Sequence, residues 1–258
     1  MRKALIFWGG FQSRKYQGYF WSEWFETSIV TLSWIPREWT EKFGNFYRFD
    51  EIVPLKQNFF TPFDYIIVCV KPYAQQEKVI CHLLALGLEN TIVIEKPVSH
   101  DERLCDELAG KPNVYYFIDE TVLYDSYKKF VHMDLNSFRI TLYNTYNYDG
   151  EDYWDLLEHI FGWLLFSPGF ESLLQKTKFL NTKKPLDHEM VYYDLMVDGK
   201  YVIHSEEWRM YLNGQRFCGL DFRKSLEYTL GLPAYKNTLL KENFLKLRTF
   251  LNKKFPLD

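Results

Sequence analysis

The stretch from Phe63 to His100 constrains this chain more than any other. It reads Phe63-Asp-Tyr-Ile-Ile-Val-Cys-Val-Lys-Pro72, then a helical pattern, then Thr91-Ile-Val-Ile-Glu-Lys-Pro97. The helix is expected over about 75–86, where Val79, Leu83 and Leu86 keep helical spacing and Gly87 serves as the cap. Apolar, β-branched runs of this length belong to strands covered on both faces. Two such runs joined by a helix make a parallel βαβ unit. Each run ends abruptly in Lys-Pro. In parallel sheets, function collects just beyond the carboxyl ends of the strands. Lys71, Pro72, Glu95 and Lys96 are therefore candidate site residues, with Pro97 fixing the backbone as it leaves the strand.

The same alternation extends outward. Strands are expected at 3–8, 28–34, 65–70, 91–94 and 114–118, with helices at 14–26, 75–86 and 101–109, a short helical piece at 39–43 and a weak segment at 50–54. Alternating strands and helices predict a Rossmann-like, doubly wound α/β sheet over residues 1–122. The pattern then changes. Residues 137–143 alternate like a half-exposed strand, and 152–166 form an amphipathic helix. Asp198-Gly199-Lys200 signals a hairpin between 191–197 and 201–204, Asn213-Gly214 another between 206–212 and 215–222, and a helix over 239–251 closes the chain. Residues 123–258 thus read as a smaller α+β domain with a mostly antiparallel sheet.

Composition excludes several function classes. A net charge of −3 with scattered Lys and Arg offers no basic stripe for nucleic acid. No apolar run reaches membrane-span length, and the apolar stretch after Met1-Arg-Lys is too short for a signal peptide. Cys69, Cys81, Cys105 and Cys218 show no metal-ligand spacing and read as reduced thiols of a cytoplasmic protein. The abundant aromatic residues fit core filling, or stacking on a sugar or base.

A glycine turn between a first strand and helix can cradle a dinucleotide pyrophosphate, because glycines admit the backbone and the helix start offers N–H groups. Trp8-Gly9-Gly10-Phe11-Gln12-Ser13 fits that fingerprint with Trp8 and Ser13 in place of its first and third glycines. The end of the second strand usually meets the ribose. Trp34 stands there, and Arg37 nearby could meet a 2′-phosphate, favouring NADP, or be an ordinary solvated side chain. Lys96 could be desolvated for proton transfer or for polarising an oxygen, or could simply surface at its strand end. In Asp152-Tyr-Trp-Asp-Leu-Leu-Glu-His159, Asp155 and His159 are four apart and share a helix face. They could orient a substrate and exchange its proton, or be a plain surface pair. No third ligand appears at a telling spacing, so no metal site is expected.

These residues resemble the Gfo/Idh/MocA family of NAD(P)-dependent sugar and cyclitol oxidoreductases. The resemblance rests on Asp64-Tyr-Ile-Ile-Val-Cys-Val-Lys-Pro72, on Leu83-Leu-Ala-Leu-Gly87, on Val93-Ile-Glu-Lys-Pro-Val-Ser99, and on Asp155-Leu-Leu-Glu-His159. Leu157 stands where that family usually has glycine, and Gln76 where it often has histidine. The resemblance implies a catalytic cluster of Lys96, Asp155 and His159. It implies NAD or NADP held by Gly9, Gly10, Phe11, Gln12, Ser13, Trp34, Arg37, Lys71, Pro72 and Glu95, a small carbohydrate substrate, and a homo-oligomer. The alternative is a non-redox descendant, either a sugar-modifying enzyme or an assembly partner.

Overall fold

The computed structural model describes residues 1–8, 11–32, 45–118, 121–122, 138–144, 158, 161–162, 164–166, 169–176, 178–182, 191–197, 202–206, 209–212, 215–216 and 221–254. The chain divides into two compact units, Met1–Phe117 with Pro233–Lys241, and Ile118–Leu232 with Glu242–Asp258.

The first unit is built on strands β1 (Lys3–Trp8), β2 (Glu26–Thr31), β3 (Asn45–Arg48), β4 (Tyr65–Cys69), β5 (Thr91–Glu95) and β6 (Val114–Phe117). All pairings are parallel, in the order β3-β2-β1-β4-β5-β6. This is the Rossmann-like order, with its switch point between β1 and β4. The registers align Ile29, Ile6, Ile67 and Val93 in one row, all wholly buried. Burial on both faces is why these strands read as unbroken apolar runs.

Helices α1 (Phe11–Ser22), α2 (Phe49–Ile52), α3 (Tyr73–Ala85) and α4 (Glu102–Ala109) link the strands. α3 ends as its sequence signals, with Gly87 at φ +59°. α4 starts at Asp101, whose carboxylate accepts from the Arg103 amide at 2.9 Å. Two expectations need correction here. α1 begins and ends about three residues earlier than the apolar pattern suggests, so Glu26 already belongs to β2. The weak 50–54 segment is one helical turn, α2, following a four-residue β3; elements this short carry too little periodicity to read. Residues 39–43 lie outside the described residues.

The second unit contains β7 (Phe138–Asn144), α5 (Phe170–Lys176), β8 (Lys178–Thr182), β9 (Val191–Val197), β10 (Val202–Glu206), β11 (Arg209–Leu212), β12 (Gln215–Arg216) and α6 (Phe222–Leu230). The sheet order is β12-β11-β10-β7-β9-β8, antiparallel except for β7 with β10. The expected 191–204 hairpin is therefore incorrect: β7 lies between β9 and β10. Val197 pairs with Phe138 on one side of β7 and Val202 with Arg139 on the other. Local turn chemistry cannot reveal an inserted third strand. The Asn213-Gly214 hairpin does pair Leu212 with Gln215, but Phe222, read as the end of that strand, opens α6 instead.

The final helix, α7 (Ala234–Lys254), is longer than its apolar repeat implied. Its residues through Lys241 count with the first unit. There, Asn237 Nδ2 donates to the Val114 carbonyl at 2.9 Å and Lys241 Nζ donates to the Lys111 carbonyl. Burial lowers the Lys241 pKa from a lysine's ordinary 10.5 to about 8. The unfolded chain then holds a proton that the folded chain releases, so this group makes stability rise between about pH 8 and 10.5. Buried Tyr116 and exposed Cys81, both with raised pKa values, act in the opposite sense. The difference between wild type and Lys241→Met isolates the lysine. Urea midpoints measured across this range should show wild type gaining on the variant as pH rises. A constant difference would mean that Lys241 keeps an ordinary pKa.

Candidate active site

The carboxyl ends of β1, β4 and β5 converge at the switch point. Only residues 9 and 10, both glycine, separate Trp8 at the end of β1 from Phe11 at the start of α1. A link this short brings the first-turn N–H groups of α1, which lack intrahelical acceptors, to the carboxyl edge of the sheet. Gly9 and Gly10 themselves, and the side chain of Phe11, lie outside the described residues. Ser13 is wholly buried, with its Oγ 3.2 Å from Cys69 Sγ. That thiol in turn donates to the Phe7 carbonyl at 3.2 Å. Ser13 thus takes the close helix-to-strand packing role of the fingerprint's third glycine. Gln12 Oε1 is buried at the start of α1 and has no hydrogen-bond partner among the described residues.

At the end of β5, Glu95 and Lys96 are buried, 7% and 6% exposed. The hydroxyl of Tyr16, on the inner face of α1, donates to Glu95 Oε2, and its ring meets Phe117 edge-on at 5.5 Å. The Lys96 amide donates to the Phe117 carbonyl at 3.3 Å. Lys96 is therefore no solvated strand-end lysine; its backbone is fixed and its side chain is largely withdrawn from water. At the end of β4, Lys71 is exposed, with Nζ 5.9 Å from the Tyr73 ring centroid, and Pro72 caps α3. The Lys71-Pro72 and Lys96-Pro97 peptide bonds are cis.

Sequence reasoning noted Gln76 only as a departure, without a role. It is 2% exposed on the inner face of α3 and bonds to the ends of both β4 and β5. Its signal was a polar residue one turn before Val79 and Ile80 on an otherwise apolar face. Six residues on from Gln76 in the same helix, His82 lies against the rings of Phe49 and Phe60, and burial lowers its pKa. Glu77 Oε1 accepts from Ser99 Oγ at 2.6 Å and from the His100 amide at 2.8 Å, anchoring the segment just beyond Pro97.

The other expected residues fall elsewhere. Trp34 and Arg37 lie outside the described residues, as do Asp155 and His159. Between the last two in sequence, Glu158 is described: 1% exposed and ion-paired with the equally buried Arg248 of α7. Among the described residues no three His, Cys, Asp or Glu side chains cluster to hold a metal ion. Nor is any described helix long and apolar enough to cross a membrane.

No family model matches this chain, and no curated protein does. Solved structures do. The WlbA (WbpB) dehydrogenase from Thermus thermophilus, in complex with NAD and UDP-GlcNAcA, matches with a TM-score of 0.59 and 14% identity, over 100% of this chain and 96% of that one. The myo-inositol dehydrogenase from Lactobacillus casei, in complex with NAD(H) and myo-inositol, matches with a TM-score of 0.59 and 11% identity, over 95% of this chain and 93% of that one. Neither supports the NADP preference read from Arg37. At these identities the likeness is one of fold, and that fold is Rossmann-like α/β.

Proposed function

We propose that this chain is an NAD(H)-dependent oxidoreductase acting on a hydroxyl or ketone carbon of a sugar or sugar nucleotide. The observation that carries the reading is the buried Lys96, held at the carboxyl end of β5 in a sheet of order β3-β2-β1-β4-β5-β6. The fold-sharing dehydrogenases, solved with NAD and with UDP-GlcNAcA or myo-inositol, support the substrate class.

The residues present fit the cofactor. The two-residue turn after β1 and the start of α1 suit a pyrophosphate, and Ser13 packs α1 closely on β4. Gly9, Gly10, Phe11 and Gln12 would hold the dinucleotide, with Lys71, Pro72 and Glu95 bordering it. The nicotinamide, when bound, supplies or accepts the hydride. Lys96 hydrogen-bonds the reacting oxygen and steadies the negative charge that develops on it. His159 exchanges the hydroxyl proton, and Asp155 orients the neighbouring hydroxyls. The roles of these three follow the resemblance noted at Glu95-Lys96-Pro97 and Asp155-Leu-Leu-Glu-His159.

Titration with NADH and with NADPH, followed by nicotinamide fluorescence, tests the reading. NADH should saturate the protein below about 1 mM, with UDP-linked uronic acids and cyclitols then screened for turnover. A folded protein that binds neither nucleotide refutes it. Sugar-modifying activity that survives exhaustive removal of nicotinamide would favour the non-redox alternative, in which Lys96 and His159 serve acid–base chemistry alone.

A further inference from the structure

The carboxamide of Gln76 does more than fill a helix face. Its Nε2 donates to the Glu95 carbonyl at 2.8 Å and to the Pro97 carbonyl at 2.7 Å, the two carbonyls that flank Lys96. Its Oε1 accepts from the Val70 amide at 3.0 Å, at the end of the neighbouring strand β4. Both donor hydrogens and the acceptor oxygen of one side chain are thus used on backbone, in a position only 2% exposed. Glutamine is the residue this geometry requires. A carboxylate would face two carbonyl oxygens without a proton, and an apolar isostere would leave three buried backbone groups unpaired.

We propose that Gln76 is a positioning residue for Lys96. It grips the peptide unit just before the lysine and the one just after Pro97 and ties them to the end of β4, so that the ammonium is presented in one orientation at the carboxyl edge of the sheet. The grip leaves little slack: with the carbonyls before and after it fixed, Lys96 can move only through its own side-chain torsions. Tyr16, bonded to Glu95 Oε2, restrains the preceding side chain in the same sense. The consequence for turnover rests on the oxidoreductase reading above; the consequence for the lysine itself does not.

The test therefore has two arms. In the nicotinamide-free protein, trace acetylation with acetic anhydride, read residue by residue by mass spectrometry, compares Lys96 with exposed Lys71 as internal standard. Gln76→Leu should raise the relative labelling of Lys96 by about threefold or more, because a segment no longer held opens more often to reagent, and leave the remaining lysines unchanged. In the enzymatic arm, kcat should fall by roughly ten- to a hundredfold, as expected for a misplaced reacting group, with the KM for NADH unchanged. Gln76→His, which keeps one ring N–H, should fall between wild type and Gln76→Leu in both arms. If wild type shows no redox activity, the oxidoreductase reading fails while the labelling arm still decides this one. Wild-type labelling of Lys96 in a folded Gln76→Leu protein overturns the proposal, as does loss of the fold in both variants, which would make Gln76 a packing residue.

Discussion

Lys96→Met is expected to bind NADH as the wild type does and to lose about 10²- to 10³-fold in kcat, the usual loss when one donor to a developing oxyanion is removed. Methionine keeps the length and apolar stem of lysine and removes only the ammonium with its donors. At 6% exposure the substitution leaves little cavity. Lys96→Arg is not expected to restore the rate. The guanidinium is larger, planar and locked in its charged form, so it does not replace a compact ammonium donor. The measurement is steady-state turnover with the substrate found by screening, alongside NADH titration and a melting curve. A kcat within threefold of wild type in a folded Lys96→Met protein would return Lys96 to the ordinary strand-end lysines.

That prediction starts from a residue legible in the sequence, and the reason is physical. Strands β4 and β5 are buried on both faces, so they appear as Tyr-Ile-Ile-Val-Cys and Thr-Ile-Val-Ile-Glu, and their ends are marked where the apolar run stops. Gly87 likewise announced itself, because a left-handed turn after a helix demands glycine. What stayed hidden were polar side chains on inward helix faces. Gln76 stood out only as a departure from the histidine that the resembled family often has there. In α7 the apolar repeat showed a helix but not that Asn237, Lys241, Asn243 and Arg248 are all buried. Each of these four is donor to a partner distant in sequence: the carbonyls of Val114, Lys111 and Leu165, and the carboxylate of Glu158. Periodicity reports which face is apolar. It cannot report a polar residue whose cost of burial is offset by a partner elsewhere in the chain.

Arg248 gives the second large effect, within the second unit. Its guanidinium and the Glu158 carboxylate are each about 1% exposed and pair directly, with the Phe244 ring 5.6 Å from the guanidinium carbon. Two charges withdrawn from water are tolerated because they neutralise one another. Arg248→Met removes one and strands the other, which should cost about 3–5 kcal/mol. Set against a domain stability of roughly 5–15 kcal/mol, that is enough to unfold a large part of the unit on mild warming. Glu158→Leu should cost a similar amount from the opposite side. The double variant, Glu158→Leu with Arg248→Met, should recover most of the loss, because apolar replacements of similar volume leave no charge unpaired. Urea denaturation of the four proteins closes a double-mutant cycle, with a coupling energy of about 4–8 kcal/mol expected for this pair, since both single losses largely vanish in the double variant. Single variants within about 1 kcal/mol of wild type would instead mean that water reaches the pair in solution. Glu158 directly precedes His159, so the cycle bears on chemistry as well. If the double variant regains its stability but not its turnover, the ion pair serves to orient the segment that carries His159. If it regains both, the pair serves the fold alone.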